Sequence, residues 1–371
     1  MNNNQNQRFL ALDVFRGLTV CFMIIVNTSG DGATTFAPLK HAIWDGFTPT
    51  DLVFPSFLFA VGNALSFVSK KWSIMPQSQV LFKIFKRTFI IFLLGFLMYW
   101  FPFFRLDQNH HIISFPFADT RIFGVLQRIA LCYMIASLMV YYLKPKTSFI
   151  ISGAILLLYW LIYQFFGQYS ISHNPVVAID LPLLGDGHIY HGEGAPFDPE
   201  GLLSTFPSVV NVIAGYFAGK FIQDKGKTFE GIAKLTLVGF ALVGLAFLWN
   251  YGFPINKKLW TSSFAMLTIG LDLFILSAII YYTDFMHKTK GTYFFEVFGK
   301  NPLVIYLLSE LLAIVLWMIP VGDSSLFRWI FLNIFHPFGA YVGAFMFAIA
   351  YMLTCWLVGW IMDKRKVYVK I

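Results

Sequence analysis

Apolar stretches that are long enough to cross a bilayer recur along the whole chain. About 20 apolar residues in a helix span the roughly 30 Å of hydrocarbon in a membrane. Hydrophobic residues make up 57% of the 371-residue chain and charged residues only 12%, whereas soluble domains carry about 25% charged residues. We therefore predict an all-α polytopic membrane protein, a single transmembrane domain over residues 1–371. About ten spans are predicted, at 9–27, 49–69, 82–101, 121–143, 148–167, 203–222, 232–250, 259–283, 301–319 and 338–362.

Lys and Arg residues are concentrated in alternate connections between these spans. Most of the 27 basic residues fall inside when both termini and the even-numbered connections are cytoplasmic. The positive-inside rule then predicts a bacterial inner (cytoplasmic) membrane with both termini in the cytoplasm. The net charge of +8 reflects this topology, and a nucleic-acid partner is not supported. Residues 1–7 are polar and lack a basic residue, so no cleavable signal peptide is expected.

Two connections on the predicted outer side stand out. The segment 323–335 is short and amphipathic, which is typical of an interfacial or re-entrant helix. The long outer loop 168–201 contains no Lys or Arg, and it favours a cationic or polyhydroxylated ligand unless it is an ordinary solvated loop. Its histidines lack a recognised zinc pattern, so no metal is predicted. Its ionisable residues are His173, Asp180, Asp186, His188, His191, Glu193, Asp198 and Glu200.

The segment Lys40 to Pro55 places several polar groups against the start of the second predicted span. Ionisable groups at that depth are costly and usually functional. His41 is a natural base, because imidazole titrates near neutral pH, although a surface-loop histidine is the simpler interpretation. Asp51 either supplies a carboxylate to the helix N-terminus or orients the imidazole as an acidic partner does in a catalytic pair.

Polar residues also interrupt the apolar runs. Asp13 and Arg16 share a helix face and can pair. Gln127 and Arg128 lie in the fourth predicted span, where an arginine needs a cavity, a partner or an anionic ligand. Asp272 and Glu310 are candidate partners for Arg128 or candidate site residues, Asn27 is a candidate helix C-cap, and Asn301 precedes a Pro at a predicted helix start. The three cysteines, which we expect to be buried thiols outside any disulfide or zinc site, are Cys21, Cys132 and Cys355.

Several motifs together resemble the heparan-alpha-glucosaminide N-acetyltransferase family of membrane acyltransferases. They run in order over nearly the whole chain, and the one around His41 is the most specific. The motifs are Leu12-Asp13-Val14-Phe15-Arg16-Gly17, Val26-Asn27, Lys40-His41-Ala42-x-Trp44-x-Gly46-x-Thr48-x-x-Asp51-Leu52-Val53-Phe54-Pro55, Gly124-Val125-Leu126-Gln127-Arg128, Asp198-Pro199-Glu200-Gly201-Leu202-Leu203, Asn256-Lys257-x-Leu259-Trp260 and Tyr368-Val369-Lys370-Ile371.

The resemblance implies an enzyme that moves acetyl groups from cytosolic acetyl-CoA to a glucosamine-type amino sugar on the far side of the membrane. It implies that His41 is the catalytic histidine, that Asp51 is the motif aspartate and that Asn27 matches the family's asparagine. We hypothesise that His41 is the base or acyl-accepting nucleophile, that Asp51 holds its ring, and that Asn27 donates a hydrogen bond to the oxyanion. Two departures concern the acceptor side. The extracytoplasmic domain and extra leading span of the lysosomal members are not found, and position 45 is Asp where those members can carry Asn.

Binding roles follow from this hypothesis. Acceptor-binding candidates are Trp44, Asp45, Asp198 and Glu200. Candidates for binding the CoA phosphates at a basic cytoplasmic mouth are Arg16, Arg87, Gln127, Arg128 and Lys370, with Lys83 and Lys86 as weaker ones.

Other interpretations stay open at this point. Transfer proceeds either through an acetyl-His41 intermediate or directly between donor and acceptor. A transporter of amino sugars or their conjugates is the main alternative, and a structural or assembly protein is a third. A homodimer is implied only by the resemblance.

Overall fold

The computed structural model describes residues 9–106, 112–225 and 228–369, and it is mostly helical. The long helices are α1 (Leu10–Asn27), α2 (Val53–Val68), α3 (Gln77–Trp100), α4 (Val125–Tyr142), α5 (Pro145–Phe166), α7 (Leu202–Lys225), α8 (Phe229–Asn250), α9 (Ser262–Ile280), α11 (Pro302–Met318) and α13 (Ala340–Lys364). The shorter ones are α6 (Pro175–Leu184), α10 (Thr292–Lys300) and α12 (Leu326–Ile330). The predicted all-α polytopic fold is confirmed.

Eight helices in the described ranges are long and apolar enough to cross a membrane. A ninth span results if α10 and α11, which are bent by 83° at Asn301, are taken together. The third predicted span exists as helix α3, yet it is not among these. Every 18-residue stretch of α3 includes Lys83, Lys86 and Arg87, and three cations are too many for an unassisted apolar span.

Loops collect at two ends of the bundle. At one end, which we call the His41 end, Trp44 contacts Tyr169, and Gly46 donates to the carbonyl of Ile255. At the other, which we call the Arg16 end, Arg16 donates to the carbonyl of Gly299 and Lys300 pairs with Asp363. The helices therefore alternate in direction between these two ends.

Helix α1 lies unusually close to α10 at the Arg16 end. A methyl group added at Gly17 would clash with the carbonyl of Phe295, and one added at Gly299 would clash with that of Asp13. Only glycine permits this approach of backbone to backbone. The predicted helix start at Asn301 is confirmed, but its side chain binds the backbone of Val367 and Val369 instead of capping α11.

The irregular segments carry short elements of their own. Strands β1 (Phe104–Leu106) and β2 (Ile112–Ser114) form an antiparallel hairpin, as do β3 (Pro320–Val321) and β4 (Ser324–Ser325). The predicted short helix in 323–335 is found as α12, which continues into a wider helical turn over Phe331–Phe335. The long loop 168–201 is less irregular than expected, because it contains α6.

Candidate active site

His41 is held by Asp51 at the His41 end of the bundle. Asp51 lies in a 3₁₀ helix, Pro49–Leu52, that leads into α2. Its fully buried carboxylate approaches Nδ1 of His41 at 2.7 Å and also accepts from the backbone amides of Ala42 (3.1 Å) and Thr48 (2.9 Å). Asp51 therefore contacts both the imidazole and the backbone amides that precede α2, and its catalytic role stays a prediction. The His41 side chain is 44% exposed.

Lys257 completes this cluster, and sequence reasoning assigned it no role. Its Nζ lies 3.1 Å from both Nδ1 and Nε2 of His41. Burial lowers the pKa of Lys257, although Glu200 and Asp51 oppose that shift by favouring its charged form. The signal that could have identified it was its place in the motif Asn256-Lys257-x-Leu259-Trp260.

Asn256 fixes the loop that carries Lys257. Its side-chain oxygen accepts from the amide of Leu259 at 2.9 Å, and its side-chain nitrogen donates to Asp45 at 3.1 Å. Asp45 itself is exposed. Trp44 donates its indole N–H to the carbonyl of Tyr169 at 2.7 Å and packs edge-on against Phe197. Trp44 and Asp45 thus join the His41 segment to two other loops. Of these two side chains, only that of Asp45 is exposed.

Arg121 binds the two acidic residues that the sequence nominated for the acceptor. Its guanidinium contacts Asp198 at 2.6 and 2.9 Å and Glu200 at 2.7 Å, and it lies 4.5 Å from the ring centre of Tyr190. Burial acts to raise the pKa of Glu200, but Arg121, Arg128 and Lys257 outweigh it and hold this pKa below its usual range. Asp198 is almost fully buried, so its charge is matched within the protein.

Gln127 and Arg128 lie at the His41 end. Arg128 stands in the first turn of α4, donates to the carbonyl of Gly201 at 3.2 Å and to the hydroxyl of Ser204, and lies 5.1 Å from the ring centre of Trp260. The prediction that Arg128 shares one mouth of the bundle with Arg16 is wrong, because α4 begins at the end of the bundle opposite to Arg16.

The two carboxylates considered as partners of Arg128 are engaged elsewhere. Asp272 in α9 accepts a hydrogen bond from Ser56 in α2. Glu310 in α11 accepts from the amide of Asn27 at 3.3 Å. Arg128 instead contacts Gly201, Ser204 and Trp260, so that pairing prediction is wrong for the described residues. Asn27 is the last residue of α1, and its exposed side chain points to α11.

A second concave site lies at the Arg16 end, between α1 and α2. Its cavity is about 260 Å³ and includes Asp13, Arg16 and Asn63 among its walls. Asp13 and Arg16 form the predicted ion pair at 2.8 Å. Asn63 is 2% exposed, and its amide nitrogen and oxygen have no hydrogen-bond partner in the described chain. Sequence reasoning missed Asn63, since an Asn in an apolar run carries little signal alone.

The remaining CoA candidates do not gather at this cavity. Arg87 lies over the ring of Tyr133 in α4, at 4.8 Å from its centre. Tyr133 is about 8 Å further along α4 than Arg128, so Arg87 lies between the two ends of the bundle and not at the cavity beside Arg16. Lys370 lies outside the described residues.

Two histidines of the outer loop have local partners. His188 binds the carbonyl of Thr120 at 2.7 Å, and His191 lies 3.2 Å from Asp186. Within residues 9–106, 112–225 and 228–369, no group of three His, Cys, Asp or Glu side chains is arranged to hold a metal ion. The cysteines are free thiols, and all three are buried as predicted.

Comparison with known proteins identifies the family of this chain. The family model for the catalytic region of heparan-alpha-glucosaminide N-acetyltransferase matches residues 8–251. The human heparan-alpha-glucosaminide N-acetyltransferase is 29% identical over 361 residues, which cover 82% of this chain and 53% of the human protein. The mouse protein of the same name is 29% identical over 363 residues, 82% of this chain and 54% of its own. The chain spans about half the length of these curated relatives, but the family model matches well over half of the chain. The chain therefore belongs to the heparan-alpha-glucosaminide N-acetyltransferase family.

Proposed function

We propose that this protein is a membrane acetyltransferase that moves an acetyl group from acetyl-CoA to the amine of a glucosamine-type sugar. The observation that carries the proposal is the His41–Asp51 pair, at 2.7 Å, within the residues 8–251 that the family model matches. An ammonium cannot attack a thioester until it loses a proton, so a base is needed beside the acceptor. His41 supplies that base.

The geometry of the pair defines the proton path. The Asp51 carboxylate accepts from Nδ1–H, which leaves Nε2 unprotonated in the neutral ring. Nε2 takes one proton from the acceptor ammonium, and the neutral amine then attacks the acetyl carbonyl. The tetrahedral centre collapses, the C–S bond breaks, a second proton passes from the nitrogen to the CoA sulfur, and the imidazolium releases its proton to solvent. Asp51 stabilises the imidazolium between these steps.

Asn27 is the candidate oxyanion donor. It ends α1, and its amide already donates to Glu310 at 3.3 Å. A donor of this kind contributes about 2.7–4 kcal/mol to transition-state stabilisation. The exposed carboxylate of Asp45 is the best acceptor-side anion, whereas Asp198 and Glu200 act through Arg121.

The donor enters from the opposite end in this proposal. With the Arg16 end in the cytoplasm, Arg16 and Asn63 flank a cavity suited to the polar part of CoA. The acetyl-bearing arm then follows α1 from Arg16 towards Asn27, over about 16 Å. This orientation follows the distribution of Lys and Arg in the loops. Residence in a bacterial inner membrane and a homodimer remain predictions.

The decisive experiment uses purified protein in proteoliposomes with labelled acetyl-CoA and glucosamine. His41→Ala should abolish labelled N-acetylglucosamine, whereas His173→Ala, which removes an exposed histidine from the same end, should retain full activity. Full activity of His41→Ala would overturn the proposal. Sugar flux without acetyl-CoA that persists in His41→Ala would support the transporter alternative.

The same preparation separates the two chemical routes. Labelled acetyl-CoA is added without acceptor, and the protein is then examined for label. Labelled His41 together with CoA release supports an acetyl-enzyme. The absence of both supports direct transfer, with His41 as base.

A further inference from the structure

An apolar crevice runs along the side of the bundle between α5, α7, α8 and α9. Its volume is about 570 Å³. At one end it begins beside Phe149 and Lys234, and at the other it reaches Leu156 and Trp249. Lys234 is the only charged residue among its lining residues in the described chain. The crevice is unrelated to the His41 cluster and to the cavity beside Arg16.

The dimensions of the crevice favour a single flexible chain. From Lys234 to Trp249, helix α8 rises about 22 Å, which is most of the roughly 30 Å hydrocarbon thickness. The walls are apolar along this length, and a volume of about 570 Å³ suits one extended acyl chain.

The charged residues at the Arg16 end of the crevice indicate which headgroup a bound acyl chain would carry. Lys234 forms an exposed ion pair with Glu230, and the charge of Lys225 also acts on Glu230. These three residues leave one net positive charge at the Arg16 end of the crevice. Exposed ion pairs contribute little, so a phosphate can compete with Glu230 for Lys234.

We propose that this crevice binds one acyl chain of an anionic phospholipid, whose phosphate contacts Lys234 and Lys225. The acyl chain lies against the small residues of α5 and α7, among them Gly153 and Ala214. This site is independent of the proposed acetyl transfer. Its occupancy is measurable whether or not the protein proves to be an enzyme.

Two glycines give a matched pair of variants. A side chain added at Gly153 meets no heavy atom within 4 Å and projects from the wall of the crevice. A side chain added at Gly244 in α8 also meets nothing within 4 Å, but Gly244 does not line the crevice. Gly153→Phe thus fills the crevice and Gly244→Phe does not, at similar cost to the fold.

The probe is phosphatidylglycerol with a photoactivatable group on one acyl chain, compared with the same analogue of phosphatidylcholine. Full-length protein is reconstituted in vesicles of each lipid, irradiated and digested for peptide mapping. We expect labelling concentrated on α5 and α8, lowered about tenfold by Gly153→Phe and unchanged by Gly244→Phe. Lys234→Gln should remove the preference for phosphatidylglycerol while leaving acyl labelling in place.

Other outcomes would overturn the site. Labelling spread evenly around the bundle, or equal labelling in the two glycine variants, would mean ordinary annular lipid. A crosslink between two copies through α5 or α8 would mean that a second chain covers the crevice. Gly153→Leu is the smaller substitute if Gly153→Phe yields no folded protein, and monodisperse elution is the folding criterion for all variants.

Discussion

The Nζ atom of Lys257 lies 3.1 Å from each ring nitrogen of His41. The same ring is bound by Asp51 at Nδ1. His41 is therefore held between an anion from the segment before α2 and a cation from the loop between α8 and α9. Equal distances to the two ring nitrogens place Nζ over the face of the imidazole, because an in-plane position between them would clash with Cε1. The in-plane lone pair of Nε2, which must receive the substrate proton, is therefore not taken up by Lys257.

The first prediction concerns this cation. We expect Lys257→Met to lower kcat by about 10- to 100-fold, which corresponds to roughly 1.4–2.7 kcal/mol, because the ring loses one of its two fixed contacts. KM for acetyl-CoA should change little. Lys258→Met is the matched control, since Lys258 pairs with Glu193 at 2.5 Å and does not contact His41. Steady-state kinetics at several pH values checks this, and a fully active Lys257→Met would remove Lys257 from the site.

Arg121 allows a prediction about stability. Replacing it by Met leaves the carboxylates of Asp198 and Glu200 without their shared partner, and breaking a buried pair costs about 3–5 kcal/mol. Thermal unfolding in detergent should show this loss. The double variant Arg121→Met/Asp198→Asn should recover part of it, because one orphaned charge is removed. Arg328→Met, at an exposed arginine of the described chain, should change stability little.

Local patterns predicted most of the fold and part of the site. Helix periodicity and apolar length located the bundle, and the spacing of Asp13 and Arg16 predicted an ion pair within one helix. His41 and Asp51 could be paired because a short segment containing both leads into one helix. Such inferences need only local geometry, which the sequence encodes directly.

Contacts between distant segments could not be predicted in this way. Arg121 meets Asp198 across two loops, and Lys257 meets His41 across most of the chain. Both depend on which loops share an end of the bundle and how they pack. The error about Arg128 has the same origin, since it was grouped with Arg16 by charge although α4 begins at the other end of the bundle.

The acceptor side can be tested at Asp45. Asp45→Asn keeps an oxygen that can accept from Asn256, at present 3.1 Å away, but removes the negative charge. We expect KM for glucosamine to rise by about 3- to 10-fold, or 0.7–1.4 kcal/mol, with KM for acetyl-CoA unchanged. Asp186→Asn, at an exposed carboxylate of the same end, is the control. Equal effects on both KM values would indicate a structural role for Asp45 instead.

Asp180 makes stability depend on pH. Its carboxylate is 1% exposed and accepts from the amides of Leu202 (2.9 Å) and Leu203 (3.3 Å) at the start of α7. Burial raises the pKa of Asp180 from 3.8 to about 6, although these two amides and Arg128 oppose the shift and Asp198 adds to it. The folded state therefore holds a proton on Asp180 that the unfolded chain releases at lower pH. The resulting stabilisation is fully present below the pKa that Asp180 has in the unfolded chain, and it is lost as pH rises through about 6.

The measurable quantity is the stability of the wild type relative to Asp180→Asn, which carries no titrating group at this position. A shift from 3.8 to about 6 corresponds to about 3 kcal/mol at 1.36 kcal/mol per pKa unit. Between about pH 4 and pH 7, we expect the wild type to lose up to that amount of unfolding free energy relative to Asp180→Asn. Denaturant unfolding in detergent at several pH values checks the slope. Parallel curves for the two proteins would mean that Asp180 stays ionised in the folded state, held by the amides of α7.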